Sequence, residues 1–255
     1  GGKLIHLDAD PGVIGRNYRA DVAVVGDARL GLAGLLKGLE SARSDSAFLA
    51  RAQELRDATR KQIRSEIGPD YESIMDSMRE LLPRDGIVVR DATVPAYLWG
   101  NRLMPILSPR TSLNPTSAAI GPALPLAIGA AIGSGKKTAV IQGDGGFMLN
   151  IGELATAVQY NVPVVTCVFN DGGYGVLRSI EGRTFEGRQF GVELATPDFA
   201  MVAQGMGMRA EHVDSAASFR EAFGRGLAHN GPYLLDIDMT KLTPMSGLGT
   251  PPPKR

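Results

Sequence analysis

Cysteine and histidine are scarce in this 255-residue sequence: one Cys, Cys167, and three His. A single thiol excludes a disulfide scaffold and any cysteine-built zinc site. Aromatic residues make up only 6%, with one tryptophan, Trp99. Net charge is missing as well, since 27 Lys+Arg balance 27 Asp+Glu. A nucleic-acid binder working through bulk charge needs a basic excess, so that class is excluded. No apolar run is long enough for a bilayer. The longest, Ile120–Ile132, is broken by Gly121, Pro122, Pro125 and Gly129. The opening Gly-Gly-Lys-Leu-Ile-His has no basic flank followed by an apolar signal region. These features predict no nucleic-acid partner, no membrane partner and a cytoplasmic location.

What is present is apolar material, 44% of the residues, which is ample for a core and argues against disorder. Leu4–Leu7 and Val22–Val25 read as short strands, and Leu30–Leu39 as a helix. Ser46–Ile67 reads as a long exposed helix stopped by Gly68-Pro69, and Tyr71–Leu82 as another. From there strands and helices alternate. Strand-like runs are Ile87–Val89, Thr138–Ile141, Val164–Phe169 and Leu234–Ile237. Helix-like runs are Thr116–Ala131, Leu149–Tyr160, Asp198–Gly205 and Ala216–Ala228. The alternation predicts an α/β fold: a doubly wound, mainly parallel sheet with helices on both faces. Residues 1–40 hold too little for a core of their own. The expected organisation is a short α/β remnant (1–40), a linker helix (41–70), the main domain (71–242) and a flexible tail (243–255).

The most informative stretch is Thr138–Gly175. A strand runs into Gly143-Asp144-Gly145-Gly146 and a helix is expected from about Leu149. A glycine turn opening onto a helix offers free N–H groups to a phosphate. Asp144 in its middle would repel that anion unless a divalent cation sits between them. Mg²⁺, shared by protein carboxylates and phosphate oxygens, resolves the conflict. Asp171 follows 27 positions later, after one helix and one strand. One βαβ unit therefore sets both carboxylates at the carboxyl ends of parallel strands, expected to be neighbours, where ligands of open α/β sheets bind. Gly172-Gly173 lets the chain turn sharply there.

Gly143-Asp144-Gly145 followed by Asn170-Asp171 resembles the cofactor motif of the thiamine-diphosphate family of acetolactate synthase, benzoylformate decarboxylase and pyruvate decarboxylase. Glu153–Ala157, Tyr160–Pro163, Tyr174-Gly175 and Ile120-Gly121 before Leu124–Ala130 resemble it too. Leu4–Pro11, Ile14–Tyr18 and Val25–Ala28 look like the end of that family's central domain. The resemblance implies thiamine diphosphate and Mg²⁺ as cofactors and a 2-oxo acid as substrate. Asp144, Asp171 and the Gly173 carbonyl would hold the metal. Gly143, Gly145, Gly146 and Thr93 would meet the diphosphate, with Tyr174 and Gly175 beside it. Ile120 would wedge the cofactor into its bent form, and the Ala118 carbonyl would orient its amino group. Val176, Leu177 and Ile180 would line the substrate pocket. The family usually has Asn at the position of Asp171 and Gly at that of Ala118.

The resemblance also implies a homodimer or homotetramer. Its catalytic Glu comes from a pyrimidine-binding domain of the partner subunit, to which nothing here corresponds, so no residue of this chain is assigned that role. The expectation is a C-terminal portion, inactive alone, of a decarboxylase or carboligase. Leu177 stands where pyruvate decarboxylases carry Glu, and the Trp of biosynthetic acetolactate synthases is absent after this turn. Benzoylformate-decarboxylase-like or acetolactate-synthase-like proteins fit better.

Three rivals were weighed. Gly133–Thr138 imitates a P-loop but has Lys137 after Lys136 and Ala130 where the first Gly belongs. Asp8-x-Asp10 could mark an aspartyl-phosphate phosphatase, though Gly12 is not the expected residue. A metal- and diphosphate-binding module without catalysis is the non-enzyme alternative. His6, His212 and His229 show no ligand spacing, and Cys167 reads as a core thiol.

Overall fold

A computed structural model describes residues 2–39 and 45–246. The chain divides into two compact units, Gly1–Arg56 and Asp57–Arg255. In the first, β1 (Ile5–Asp8) and β2 (Val22–Val25) pair in parallel, Ile5 against Val22, and α1 (Ala28–Gly38) follows. The Asp27 side chain caps α1 by accepting from Leu30 N. Neither β1, β2 nor α1 contains a buried residue; Ile5, Val22, Val25, Leu30 and Leu36 all stay exposed. A parallel pair normally has both faces covered, and this one has almost no core.

The helix α2 (Ser46–Leu81) crosses the division between units. Gly68 (φ 80°, ψ 169°) leaves helical geometry, yet helix resumes at once. Pro69 is tolerated because it opens the new segment, where its missing N–H has no partner to lose. Beyond the kink, Tyr71, Ile74, Met75 and Met78 are buried, and so are Ile63 and Ile67 before it. The packed unit thus reaches back into the segment expected to be a linker. It also runs past residue 242: Met245 is buried, Thr243 N donates to Asp70 Oδ2 at 2.8 Å, and Ser246 N to the Glu66 carbonyl. Residues 41–44 of the expected linker and 247–255 of the expected tail lie outside the described residues.

The second unit is built on β3 (Ile87–Arg90), β4 (Ser112–Leu113), β5 (Thr138–Gly143), β6 (Val164–Asn170), β7 (Arg209–Val213) and β8 (Tyr233–Asp238). Their order is β4-β3-β5-β6-β8-β7, and every pair is parallel. The helices are α3 (Ala123–Ser134), α4 (Asp144–Leu149), α5 (Glu153–Gln159), α6 (Gly175–Thr184), α7 (Phe199–Gly205) and α8 (Ala216–Ala228). Alternate side chains of β5 and β6 serve opposite faces. Ala139, Ile141, Cys167 and Phe169 pack with α2 and α8 through Ile67, Met78, Phe219 and Phe223. Val140, Val164 and Val168 pack with α3, α5 and α7 through Leu124, Ala127, Leu154 and Phe199. The fold is therefore the doubly wound parallel α/β architecture, with β5 and β6 buried on both faces. Among the described residues, no helix is long and apolar enough to cross a membrane.

Two details differ from the sequence reading. The helix expected over Leu149–Tyr160 is two helices, and the first begins at Asp144 itself. That expected over Thr116–Ala131 starts at Ala123, after a kinked turn in which Ser117 and Ala118 take φ values of 57° and 53°.

Candidate functional site

The site lies at the carboxyl ends of β3, β5 and β6. β5 and β6 are paired in parallel, with Gly143 opposite Phe169. The strand ends therefore bring Gly143-Asp144 and Asn170-Asp171 side by side. Gly173 N donates to Asp144 Oδ2 at 2.9 Å, which ties the two turns together. Gly172 (φ 75°) makes the turn after β6. Gly145 and Gly173 are required by close approach: a Cβ at Gly145 would lie 2.6 Å from Tyr174 Cε1, and one at Gly173 2.2 Å from the Val192 carbonyl oxygen.

These turns open on a cavity of about 240 Å³. Every residue the sequence reading singled out lines it: Thr93, Ala118, Ile120, Gly143, Asp144, Gly145, Gly146, Asp171, Gly173, Tyr174, Gly175, Val176, Leu177 and Ile180. Thr93 comes from the β3 end, and its Oγ1 would sit 2.7 Å from a Cβ on Gly143. Ile120 is partly exposed on the rim, and its Cγ2 faces Gly146. Ala92, Val94, Tyr97, Phe169 and Met239 complete the lining and were not anticipated.

The charge balance of the cavity is lopsided. Asp144 is 1% exposed. Burial, then the neighbouring Asp171, push its carboxyl up to about 7, against the backbone N–H groups of Gly145, Gly173 and Gly172. No cationic side chain among the described residues pairs with it. Asp171 is also held above the usual carboxylate range by burial, an effect opposed by Arg178, whose Nη1 lies 2.9 Å from Oδ2. The two buried carboxylates thus have one guanidinium beside them, and it touches Asp171 alone of the pair. The excess negative charge beside a glycine-lined turn is what a hard divalent cation with oxygen ligands would neutralise, so the donor set fits Mg²⁺. The small residues leave backbone N–H groups open to a diphosphate.

Two residues that organise the site, Asp91 and Arg178, escaped sequence reasoning. Asp91, 4% exposed, accepts from Gly121 N at 2.9 Å and from Gln142 Nε2 at 2.7 Å, and so pins the turn carrying Ile120. Arg178 bridges Asp171 to Glu193. Their only sequence signal is position: Asp91 ends a strand and Arg178 lies seven residues beyond Asp171. His212, read as isolated, lies 3.1 Å from Asp198 and 3.7 Å from Asp236. Those carboxylates already serve local structure. Asp198 caps α7, and Asp236 accepts from Phe199 N and from Asn170 Nδ2, steadying the residue before Asp171. Asp8 and Asp10 accept from the local backbone N–H groups of Asp10 and Gly12, and Cys167 is a buried free thiol whose ionisation burial suppresses. The Gly133–Thr138 stretch ends α3 with Gly135 (φ 68°) and enters β5, which is helix–loop–strand order and no P-loop.

A parallel α/β sheet whose strand ends carry a carboxylate pair and a glycine-lined diphosphate turn defines a metal-dependent diphosphate-binding domain. The profile of the family described as "Thiamine pyrophosphate enzyme, C-terminal TPP binding domain" matches residues 95–237, and the chain belongs to this family. It is 31% identical, over 95% of its length, to the probable acetolactate synthase large subunit of Methanocaldococcus jannaschii, covering 43% of that protein. It is 32% identical over 92% of its length to a probable 2-ketoarginine decarboxylase and 30% identical over 96% to a benzoylformate decarboxylase, both of Pseudomonas aeruginosa, covering 42% and 45% of them. The chain thus spans about two fifths of the length of the curated relatives it matches. Residues 95–237 form the thiamine-diphosphate-binding domain of acetolactate synthase- and decarboxylase-like proteins, a family in which Mg²⁺ is typical.

Proposed function

We propose that the whole protein is a thiamine-diphosphate-dependent decarboxylase or carboligase acting on a 2-oxo acid. The observation that carries this reading is Asp144: a buried carboxylate with no cationic side-chain partner among the described residues, set among glycines and beside a second buried carboxylate. In this reading Asp144, Asp171 and the Gly173 carbonyl hold Mg²⁺. The N–H groups of Gly145 and Gly146, with Thr93, hold the diphosphate. Ile120 supports the bend of the cofactor, and the Ala118 carbonyl orients its amino group. Bound thiamine diphosphate supplies the nucleophile and electron sink for the reaction. The protein's share is to bind, orient and shield. Val176, Leu177 and Ile180 offer an apolar wall to the substrate side chain and exclude water from it.

The cavity of about 240 Å³ is smaller than a complete pocket for a cofactor of this size, roughly 300–1,000 Å³. That supports a site completed by the pyrimidine-binding domain of a partner subunit in a homodimer or homotetramer, with this chain binding cofactor but not turning over substrate by itself. A cytoplasmic location belongs to the same proposal.

Calorimetric titration with thiamine diphosphate, with and without Mg²⁺, tests the reading on the wild type and on Asp144→Ala. Binding that requires Mg²⁺ and disappears in the variant is expected. Metal-independent binding, or binding indifferent to Asp144→Ala, would overturn the metal assignment. A decarboxylation rate measured from this chain alone would overturn the shared-site part.

A further inference from the structure

Arg178 is an unusual companion for a metal-binding turn. It projects from the first turns of α6, and its side chain is 9% exposed, as buried as the 11% of Asp171. The guanidinium is divided between two carboxylates. Nη1 donates to Asp171 Oδ2 at 2.9 Å, while Nε and Nη2 donate to the two oxygens of Glu193 at 2.8 and 3.1 Å. Glu193 is half-exposed and lies in a short strap that runs antiparallel to the metal turn. Tyr174 N donates to the Val192 carbonyl and Leu194 N to the Gly172 carbonyl, each at 2.8 Å. Gly173 passes so close to the guanidinium that a Cβ there would lie 2.6 Å from Nη2. One side chain therefore fastens the second carboxylate of the site, the turn that carries it and the strap behind.

A cation next to a cation site would ordinarily weaken it. Here it acts on a site with two buried carboxylates that must also admit a diphosphate. With both carboxylates ionised and no counter-charge, the pocket would repel that anion as strongly as it attracts Mg²⁺. The bridge to Arg178 occupies one oxygen of Asp171 and offsets part of its charge, a charge the guanidinium also divides with Glu193, so Asp144 is the uncompensated ligand and Asp171 a fixed, partly compensated one. We propose that Arg178 is the positioning residue of the metal turn, and that Asp171 and Arg178 form a charge-compensated unit that sets the affinity for the Mg²⁺–diphosphate pair. This inference rests on the thiamine-diphosphate reading above.

The two halves of that unit predict a pattern of rescue. Removing one member of a buried ion pair leaves the other uncompensated, whereas replacing both by neutral groups is tolerated. Outer-shell partners of metal ligands change metal affinity about 10- to 100-fold when removed. Titrations of Mg²⁺ and thiamine diphosphate on Arg178→Met, Asp171→Asn and the double variant Asp171→Asn/Arg178→Met test it, with circular dichroism to confirm folding. Arg178→Met should lose at least about tenfold in Mg²⁺-dependent affinity. The double variant should recover most of that loss, because a neutral amide needs no counter-ion. Arg178→Lys should fall between, having the charge without the fork. An unchanged Arg178→Met, or a double variant as poor as the worse single one, would overturn the proposal and leave Arg178 as a structural brace. If the wild type binds no thiamine diphosphate, the functional reading fails. Titration of Mn²⁺ alone, followed by its paramagnetic resonance signal, still decides the role of Arg178: the same rescue pattern supports it, and equal Mn²⁺ affinity in all variants refutes it.

Discussion

Gly173 N and Asp144 Oδ2, 29 positions apart in the chain, meet at 2.9 Å where the ends of β5 and β6 lie together. The bond joins the two halves of the motif directly. It also means that the protonation of Asp144, its carboxyl pushed up to about 7, is coupled to the geometry of the second turn.

The first prediction concerns pH. Between about pH 4 and 7 the folded, unliganded protein keeps a proton on Asp144 that the unfolded chain releases. Stability therefore falls as pH rises through that window, because the folded state binds more protons than the unfolded one. Mg²⁺ binds the ionised form, so binding should expel a proton and weaken as pH falls below about 7. Thermal unfolding at pH 5 and pH 8, with and without Mg²⁺ and thiamine diphosphate, checks both signs. Asp144→Asn should flatten the stability profile and abolish the metal dependence. A wild-type protein that grows more stable from pH 5 to pH 8 without ligand would contradict it.

The glycines divide by what surrounds them. Gly173→Ala must push a methyl to 2.2 Å from the Val192 carbonyl oxygen, a backbone atom that cannot rotate away. Overpacking of this kind costs about 1–3 kcal/mol, and the displaced turn should also lose cofactor binding. Gly129→Ala, on the exposed side of α3 with nothing within 4 Å, should instead stabilise by about 0.5–1 kcal/mol through helix propensity. Urea unfolding of both variants measures the contrast.

How far the sequence foretold this molecule depends on where each strand sits. β5 and β6 are central, buried on both faces, and so appear as mainly apolar runs. The two edge strands leave little trace. β4 is two residues long, and β7 reads Arg-Ala-Glu-His-Val with Val213 its one buried residue. Gly145 and Gly146 hid the start of α4, since their low propensity argues against helix, while the fold uses them for close approach. Gly68-Pro69 marked the break in α2 correctly: Gly68 leaves helical geometry and Pro69 opens the second segment, which buries Tyr71 and Ile74. All the cavity-lining residues named from the motif came together, as they were tied to strand ends. Asp91, Arg178 and Glu193 were invisible because their partners lie on other elements, and pairing of that kind leaves no local pattern.

Ala118 offers a test of strain at the cavity wall. With φ at 53° it occupies the left-handed region, which disfavours a side chain by about 1–2 kcal/mol. Ala118→Gly removes that penalty but adds about 0.4–1 kcal/mol of unfolded-state entropy. Relief wins, so the variant should be more stable by about 0.5–1 kcal/mol on those two magnitudes. Denaturant titration decides it; a destabilised variant would mean that the Ala118 methyl makes contacts worth more than the strain.

Asp91 gives the sharpest separation of structure from function. Its carboxylate accepts from Ala92 N, from Gly121 N with both oxygens, from Ala123 N and from Gln142 Nε2, with no cationic side chain among these donors. Gln142 Nε2 also donates to the Gly121 carbonyl, so the turn with φ 103° at Gly121 is gripped at both its N–H and its carbonyl. Asp91→Ala strands several buried donors at once, and each unsatisfied group costs about 1–3 kcal/mol. Loss of at least about 3 kcal/mol is expected. Asp91→Asn keeps one acceptor oxygen and exchanges the other for a donor facing N–H groups, so it should fold while loosening the Ile120 turn. Its cofactor affinity should fall while its unfolding midpoint shifts less than that of Asp91→Ala. Measured side by side, equal stability losses in the two variants with unchanged binding in Asp91→Asn would show that Asp91 supports the fold alone and leaves Ile120 in place.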